Sequence, residues 1–157
     1  MPVKQSTIFV FWGYRCDEVA AVTFITGLRR LGLRVQMAGI SAQYLEGAYG
    51  VKIQPDVMLK DALAQARRAL CVILPFDDAA LRRFADEDRL QNFLRIAWKS
   101  GAWFVTQDET EELLKSMLST DTQMNWNDRF ITYATSDELI SSVNHLALQL
   151  ISMVNKE

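Results

Sequence analysis

The chain has 157 residues, half of them hydrophobic and 23% charged, which suits one globular domain with a substantial core and argues against a disordered or fibrous chain. Lys and Arg number 17 against 19 Asp and Glu, and this net charge of -2 argues against a nucleic-acid partner, which needs a basic patch to neutralise phosphates. No apolar run approaches the roughly 20 residues that span a bilayer, and the start Met1-Pro-Val-Lys-Gln-Ser6 lacks a signal-peptide pattern, so a soluble cytoplasmic domain with no membrane partner is expected.

Thr7-Ile-Phe-Val-Phe-Trp12 is a β-branched and aromatic run without polar alternation, as a strand buried on both faces requires. Gly13 ends it. A helix is predicted from about Asp17 to Leu31, with Val22, Ile25 and Leu28 at every third position and Gly32 as its stop. Leu33 to Ala38 reads as the next strand, and this strand–helix–strand unit predicts a right-handed parallel crossover. Residues 41 to 61 read as irregular, with a small strand pair around Val51 to Gln54. Ala69 to Leu74 is a core strand closed by Pro75. Glu87 to Lys99 is an amphipathic helix with Leu90, Phe93, Leu94, Ala97 and Trp98 on one face. After Gly101, Ala102 to Thr106 returns to the sheet. A helix from about Asp108 to Leu118, a strand Arg129 to Tyr133 and a last helix opened by the capping box Thr135-x-x-Glu138 complete the chain. That last helix turns Leu139, Val143, Leu146 and Leu150 inward. The fold class is therefore α/β, a three-layer doubly wound sheet of flavodoxin-like or Rossmann-like type, mostly parallel, with helices on both faces. Residues 1–157 form a single domain without repeats or linkers.

Cys16 and Cys71 are too few for a disulfide scaffold, and the single histidine, His145, removes most Cys–His, Ser–His and multi-histidine metal chemistry. In an open parallel sheet, ligands sit beyond the carboxyl ends of the strands. Here those loops are Gly13 to Glu18, Pro75 to Ala79 and Thr106 to Thr110.

The order of elements and several strings resemble the DJ-1/PfpI (ThiJ/PfpI) family of the class I glutamine amidotransferase-like superfamily. The resemblance runs through Asp17-Glu-Val-Ala-Ala-Val-Thr23 to Leu28-Arg-Arg-Leu-Gly32, Val35 to Ile40, Ile53-Gln-Pro-Asp56 and Val72-Ile-Leu-Pro75. It continues in Leu90 to Leu114, including Lys99-Ser-Gly-Ala-Trp-Phe-Val-Thr106, and in Asp128-Arg-Phe-Ile-Thr132. It implies a nucleophilic cysteine on a sharp strand-to-helix elbow directly after the strand that matches Ala102 to Thr106. Counting from Gly101, that position holds Gln107, followed by Asp108 and Glu109, and a primary amide is not a nucleophile. Thr106-x-x-Glu109 can form an ordinary capping box, so a relaxed helix start is expected in place of a strained elbow. Asp108, Glu109, Glu111 and Glu112 crowd a first turn where a catalytic thiolate would need positive potential.

The other parts that the resemblance implies are altered too. The acid on the first helix aligns with Ala20, with Glu18 one slip away. The Pro-Gly-Gly turn that helps form the oxyanion hole reads Pro75-Phe76-Asp77, and the histidine segment is shortened to Ser119 through Asp128 without a histidine. A catalytically degenerate member is expected, with degenerate positions Ala20, Gln107 and Asp108.

Cys16, beside Arg15 in the first strand–helix loop, and Glu18 remain weak catalytic candidates; Asp17 and Glu18 next to the thiol disfavour its thiolate. Cys71 in a core strand reads as packing, and His145 as a partly exposed helix residue. Asp17, Glu18, Asp77, Asp78, Asp108 and Glu109 gather at one rim. Asp17, Asp77 and Asp108 could hold a hard cation, but solvated caps of three helices are the favoured reading of these carboxylates, and no metal or cofactor is expected. Trp12, Tyr14, Phe76 and Trp126 are expected to fill the former pocket. The resemblance also implies a homodimer near helix one and residues 44 to 54, with Arg29, Arg30, Tyr44, Leu45 and Tyr49.

Three functions are consistent with this reading. The first is a non-catalytic binding or regulatory domain with a small-molecule or protein partner at the acidic rim. The second is an active amidase, glyoxalase or deglycase-type enzyme using Cys16 or a water activated by Glu18 or Asp108. The third is a small-molecule sensor module acting through a partner chain. Fold analogy alone does not choose among them.

Overall fold

The computed structural model describes residues 6–41, 46–118, 129–134 and 138–155. Its strands are β1 (Thr7–Trp12), β2 (Val35–Gly39), β3 (Val57–Met58), β4 (Ala69–Leu74), β5 (Trp103–Gln107) and β6 (Phe130–Tyr133). They form one sheet in the order β3-β2-β1-β4-β5-β6, and every pairing is parallel. The central strands β1 and β4 are buried along their whole length, which is why both read as unbroken apolar runs.

The helices are α1 (Glu18–Arg30), α2 (Leu59–Ala62), α3 (Asp78–Phe84), α4 (Asp88–Lys99), α5 (Glu111–Leu118) and α6 (Leu139–Asn155). Right-handed crossovers in this strand order put α1 on one face of the sheet and α4 and α5 on the other, and α6, which follows the last strand, packs beside α1. The rings follow this layering. Phe24 of α1 lies 5.5 Å from Tyr133, whereas Phe93 of α4 meets Phe9 and Phe11 edge-on at 5.2 and 5.1 Å. The predicted inward stripes of α4 and α6 are buried as expected. On α1, Ile25 and Leu28 face the core with Phe24, but Val22 is 42% exposed, because the buried stripe runs through Ala20, Ala21 and Phe24. At the end of α4 the amide of Gly101 (φ 95°) donates to Trp98 O at 3.1 Å, and the Arg129 guanidinium stacks 3.5 Å from the Trp98 ring while donating to the same carbonyl at 2.8 Å.

Two expectations need correction. The strand pair around Val51 to Gln54 is a single antiparallel bridge, Glu46 to Lys52, and the sheet's edge strand comes later, at Val57–Met58. Pro55 between them has no N–H for a ladder, so pairing resumes only beyond it. The stretch 59–68, read as irregular or passed over, is α2 continued by a 3-10 helix at Leu63–Arg68, and α3 follows β4. The doubly wound α/β class itself holds, with every strand pairing of the sheet parallel. Among the described residues, no helix is long and apolar enough to cross a membrane. The predicted cap Thr135 lies outside the described residues, as do Tyr44, Leu45, Trp126 and Ser119 through Asp128.

Candidate functional site

Strand order reverses at β1, whose two neighbours β2 and β4 are reached by crossovers on opposite faces; the crevice of such a sheet opens at the carboxyl ends of these strands. Here the crevice is drawn shut. The Asp17 amide donates to Pro75 O at 2.8 Å, joining the loop after β1 to the loop after β4. The Phe76 amide turns back to Leu74 O at 2.9 Å, so the N–H of the turn to which the sequence resemblance gives an oxyanion role is already engaged. Trp12 and Phe76 are fully buried, and Phe76 packs edge-on against Phe84 at 5.4 Å. Both complete the core at this end of the sheet. Tyr14 is half-buried, with the Arg83 guanidinium 4.4 Å from its ring centre.

Gln107 is the last residue of β5 and stands at the N-cap of the following turn with φ -65° and ψ 150°, ordinary extended backbone. The relaxed start expected from the sequence is what the chain adopts. Its detail differs: Thr106 does not cap the helix. Its side chain is buried and its hydroxyl shares a hydrogen bond with that of Thr110, which also reaches Gln107 O at 3.0 Å. The Thr106 hydroxyl also lies 3.5 Å from Leu74 O. Two hydroxyls four residues apart thus satisfy each other and the turn, and Asp108–Thr110 forms one 3-10 turn before α5. Asp108 and Glu109 are exposed beside it.

Backbone strain lies elsewhere. Arg15 (φ 59°) is the only non-glycine residue with positive φ among those described, in the turn closed by Cys16 N–H to Gly13 O at 3.1 Å. This turn folds Cys16 into the interior. Its side chain is fully buried, with Sγ 3.7 Å from Phe11 O and 3.9 Å from Asp17 O. Burial pushes the Cys16 thiol well above its ordinary 9.0; the Gly13 backbone pulls against this, and Asp17 and Glu18 add to it. Burial raises Cys71 as well.

Of the two positions offered for an acid on the first helix, Ala20 is a buried residue whose amide is capped by Asp17 Oδ1 at 3.1 Å. Glu18 is the inward acid, only 6% exposed. Its carboxylate accepts from the backbone amides of Tyr49 at 2.5 Å and Val51 at 2.9 Å. A Cβ on Gly47 would come within 2.1 Å of Glu18 Cγ, so the loop can close over this side chain only with glycine there. Glu18 is therefore a clamp for the 46–52 loop, and not a solvated helix cap as one reading of the acidic rim held. The other carboxylates are caps and surface pairs. Asp77 accepts from Ala80 N at 2.8 Å, and Asp78 pairs with Arg82 at 2.7 Å. Among the described residues, no three His, Cys, Asp or Glu side chains gather closely enough to hold a metal ion, and Asp17 and Asp77 do not share a site with Asp108. His145 is exposed on α6, 3.2 Å from Gln149.

Sequence reasoning missed Tyr133. It ends β6 directly opposite Gln107 in the parallel register and is 2% exposed, so the Gln107 side chain is the polar group nearest at hand for its hydroxyl. Burial raises the phenol above its ordinary 10.0, the charges of Asp17 and Cys16 reinforce the rise, and the nearby Gln107 side chain opposes it.

No family model and no curated protein sequence matches the chain. Solved structures do. Drosophila melanogaster DJ-1beta superposes with a TM-score of 0.77 at 15% identity, covering 93% of this chain and 90% of that one. Oxidized Toxoplasma gondii DJ-1 gives a TM-score of 0.72 at 14% identity over 95% of this chain and 97% of that one. A two-domain protein from Anabaena variabilis, containing DJ-1/ThiJ/PfpI-like and ferritin-like domains, gives 0.72 at 13% identity over 92% of this chain and 48% of that one. At these identities the likeness is one of architecture, and it agrees with the all-parallel sheet and its two helical layers: the chain has the DJ-1/ThiJ/PfpI superfamily fold.

Proposed function

We propose that the chain is a non-catalytic binding or regulatory domain on this fold, and that it works as a homodimer. The observation that carries the first part is the turn after β5. An unreactive amide, Gln107, occupies it in relaxed backbone, flanked by Asp108 and Glu109. The nearest alternative nucleophile, Cys16, is sealed in the core with its thiol pushed up. A thiol acts as its thiolate, and burial among carboxylates suppresses that form. The Phe76 amide that an oxyanion would need already serves Leu74. Wild-type protein and the Cys16→Ser variant are both expected to turn over methylglyoxal or a simple amide no faster than buffer. Turnover that disappears in Cys16→Ser would establish the enzyme reading instead.

Support for the homodimer comes from α1 and α6, which pack side by side. Val19 and Val22 on α1 and Ile140 and Leu148 on α6 are exposed apolar residues, the latter two 71% exposed. The α6 segment Leu139–Asn155 contains no Lys, Arg, Asp or Glu. An uncharged, partly apolar face of this kind is costly to leave in water and suits a two-fold contact. Sedimentation at micromolar concentration should return a dimer; monomer alone would remove this part of the reading.

A further inference from the structure

We propose that residues 46–52 form a strap that lifts as a unit from the head of α1 while the sheet stays folded, with the Glu18 carboxylate as its latch.

The strap keeps its own shape. Its neck is closed by the antiparallel bridge between Glu46 and Lys52, whose side chains also pair at 3.4 Å. Inside it the Gly47 amide donates to Val51 O at 2.9 Å and the Gly50 amide to Gly47 O at 3.2 Å, a tight turn that Gly50 allows with φ 85°. Its hold on the rest of the domain is of another kind. Ala48, Tyr49 and Val51 are exposed, and Gly47, the buried residue of the strap, has no side chain. No apolar side chain of the strap is therefore anchored in the core. The described ties are backbone amides, from Ala48 to Cys16 O at 2.8 Å and from Tyr49 and Val51 to the Glu18 carboxylate. Segments with few buried apolar contacts open locally, at a fraction of the cost of global unfolding. Water can replace each of these bonds, and the carboxylate recovers its hydration as the strap leaves.

What lies beneath is held independently. The Cys16 amide donates to Gly13 O, the Asp17 amide to Pro75 O, and the Asp17 carboxylate caps Ala20 N, so the turn keeps its place when the strap lifts. Lifting uncovers Glu18, which is 6% exposed when the strap is closed. It also clears the approach to Cys16, whose carbonyl the Ala48 amide covers. Cys71 offers a contrast within the same chain. It is fully buried in β4 with β1 and β5 paired on either side, and is reached only when the sheet itself opens. The two native thiols therefore report two different openings.

The test is iodoacetamide modification of both cysteines in the full folded chain at a series of low urea concentrations. Each rate is read by peptide mass and divided by that of the same cysteine in the unfolded chain. Cys16 should react at least about tenfold faster than Cys71 on this scale. Its rate should stay flat with urea, because lifting the strap exposes little surface, whereas the Cys71 rate should climb with the slope of global unfolding. Glu18→Ala should raise the Cys16 rate at least about tenfold, still without a urea slope. Glu18 also raises the thiol's pKa, so a second variant leaves the charge in place. Gly47→Ala puts a Cβ against Glu18 Cγ and should pry the strap loose with the same effect on Cys16. Equal protection of the two thiols with a common urea slope would overturn the proposal, as would a Cys16 rate that neither variant changes. Acceleration in Glu18→Ala that Gly47→Ala does not share would trace to the lost charge and would remove Glu18 as a latch.

Discussion

A thiol introduced by Gln107→Cys will titrate at or above the ordinary cysteine value of about 8.5, and will not become the activated nucleophile that the sequence resemblance implies for this position. Activated thiols have pKa values of roughly 3.5–7.5, reached by a helix N-terminus, a cationic neighbour or a strained, exposed elbow. This turn supplies none of these in usable form. The residue sits in extended backbone at φ -65°, a single 3-10 turn separates it from α5, and the first residues of that turn and helix are Asp108, Glu109, Glu111 and Glu112. Their charge offsets whatever the short helix end provides. At neutral pH the variant should hold only a few per cent thiolate, whereas a thiol of pKa about 5 would be almost fully ionised. Thiolate absorbance as a function of pH measures this directly, since burial keeps both native thiols out of the range. A midpoint below about 7 would show that this turn does supply an activating field.

The second large effect is structural. Glu18→Ala removes the acceptor for the Tyr49 and Val51 amides and leaves an unfilled space against Gly47. Hydrogen bonds to a charged group are worth about 1.5–3 kcal/mol each, but Tyr49 and Val51 are exposed enough for water to replace part of the loss. A fall of about 2–3 kcal/mol is expected, or about 5–10 °C in Tm for a domain of this size. Glu18→Gln keeps the shape with one acceptor oxygen and should fall roughly midway. Hydrogen exchange at the two loop amides should accelerate in Glu18→Ala while β1 stays protected. An unchanged Tm would mean that the loop is held by something other than this carboxylate.

The parts of the fold that could be read from sequence are those whose burial is two-sided or strictly periodic. β1 and β4 are apolar throughout because both faces are covered, and α4 carries a clean stripe because only one face is. β3 has two residues, and α2 has four before tightening into a 3-10 helix; elements this short present no period to detect. At the site, the position of Gln107 followed from counting along β5. The role of Glu18 did not, because its partners are backbone amides more than 30 residues away, and no side-chain pattern announces a backbone donor. Thr106 was ambiguous in a different way. The spacing to Glu109 fits a capping box and the spacing to Thr110 fits a hydroxyl pair; burial of both threonines decides for the second. Tyr133 had only a weak signal, a polar-tipped aromatic at the carboxyl end of the last strand. Its importance depends on the register that sets it against Gln107.

The most direct measurement is the rate at which iodoacetamide modifies Cys16 in the native protein near neutral pH, read by peptide mass against the same protein unfolded. With the side chain fully buried and its thiol raised, modification should be at least about a hundredfold slower than in the unfolded chain, limited by rare opening of the fold. Modification faster than in the unfolded chain would mean an accessible, activated sulfur at the head of α1, and the domain would then have to be regarded as an enzyme.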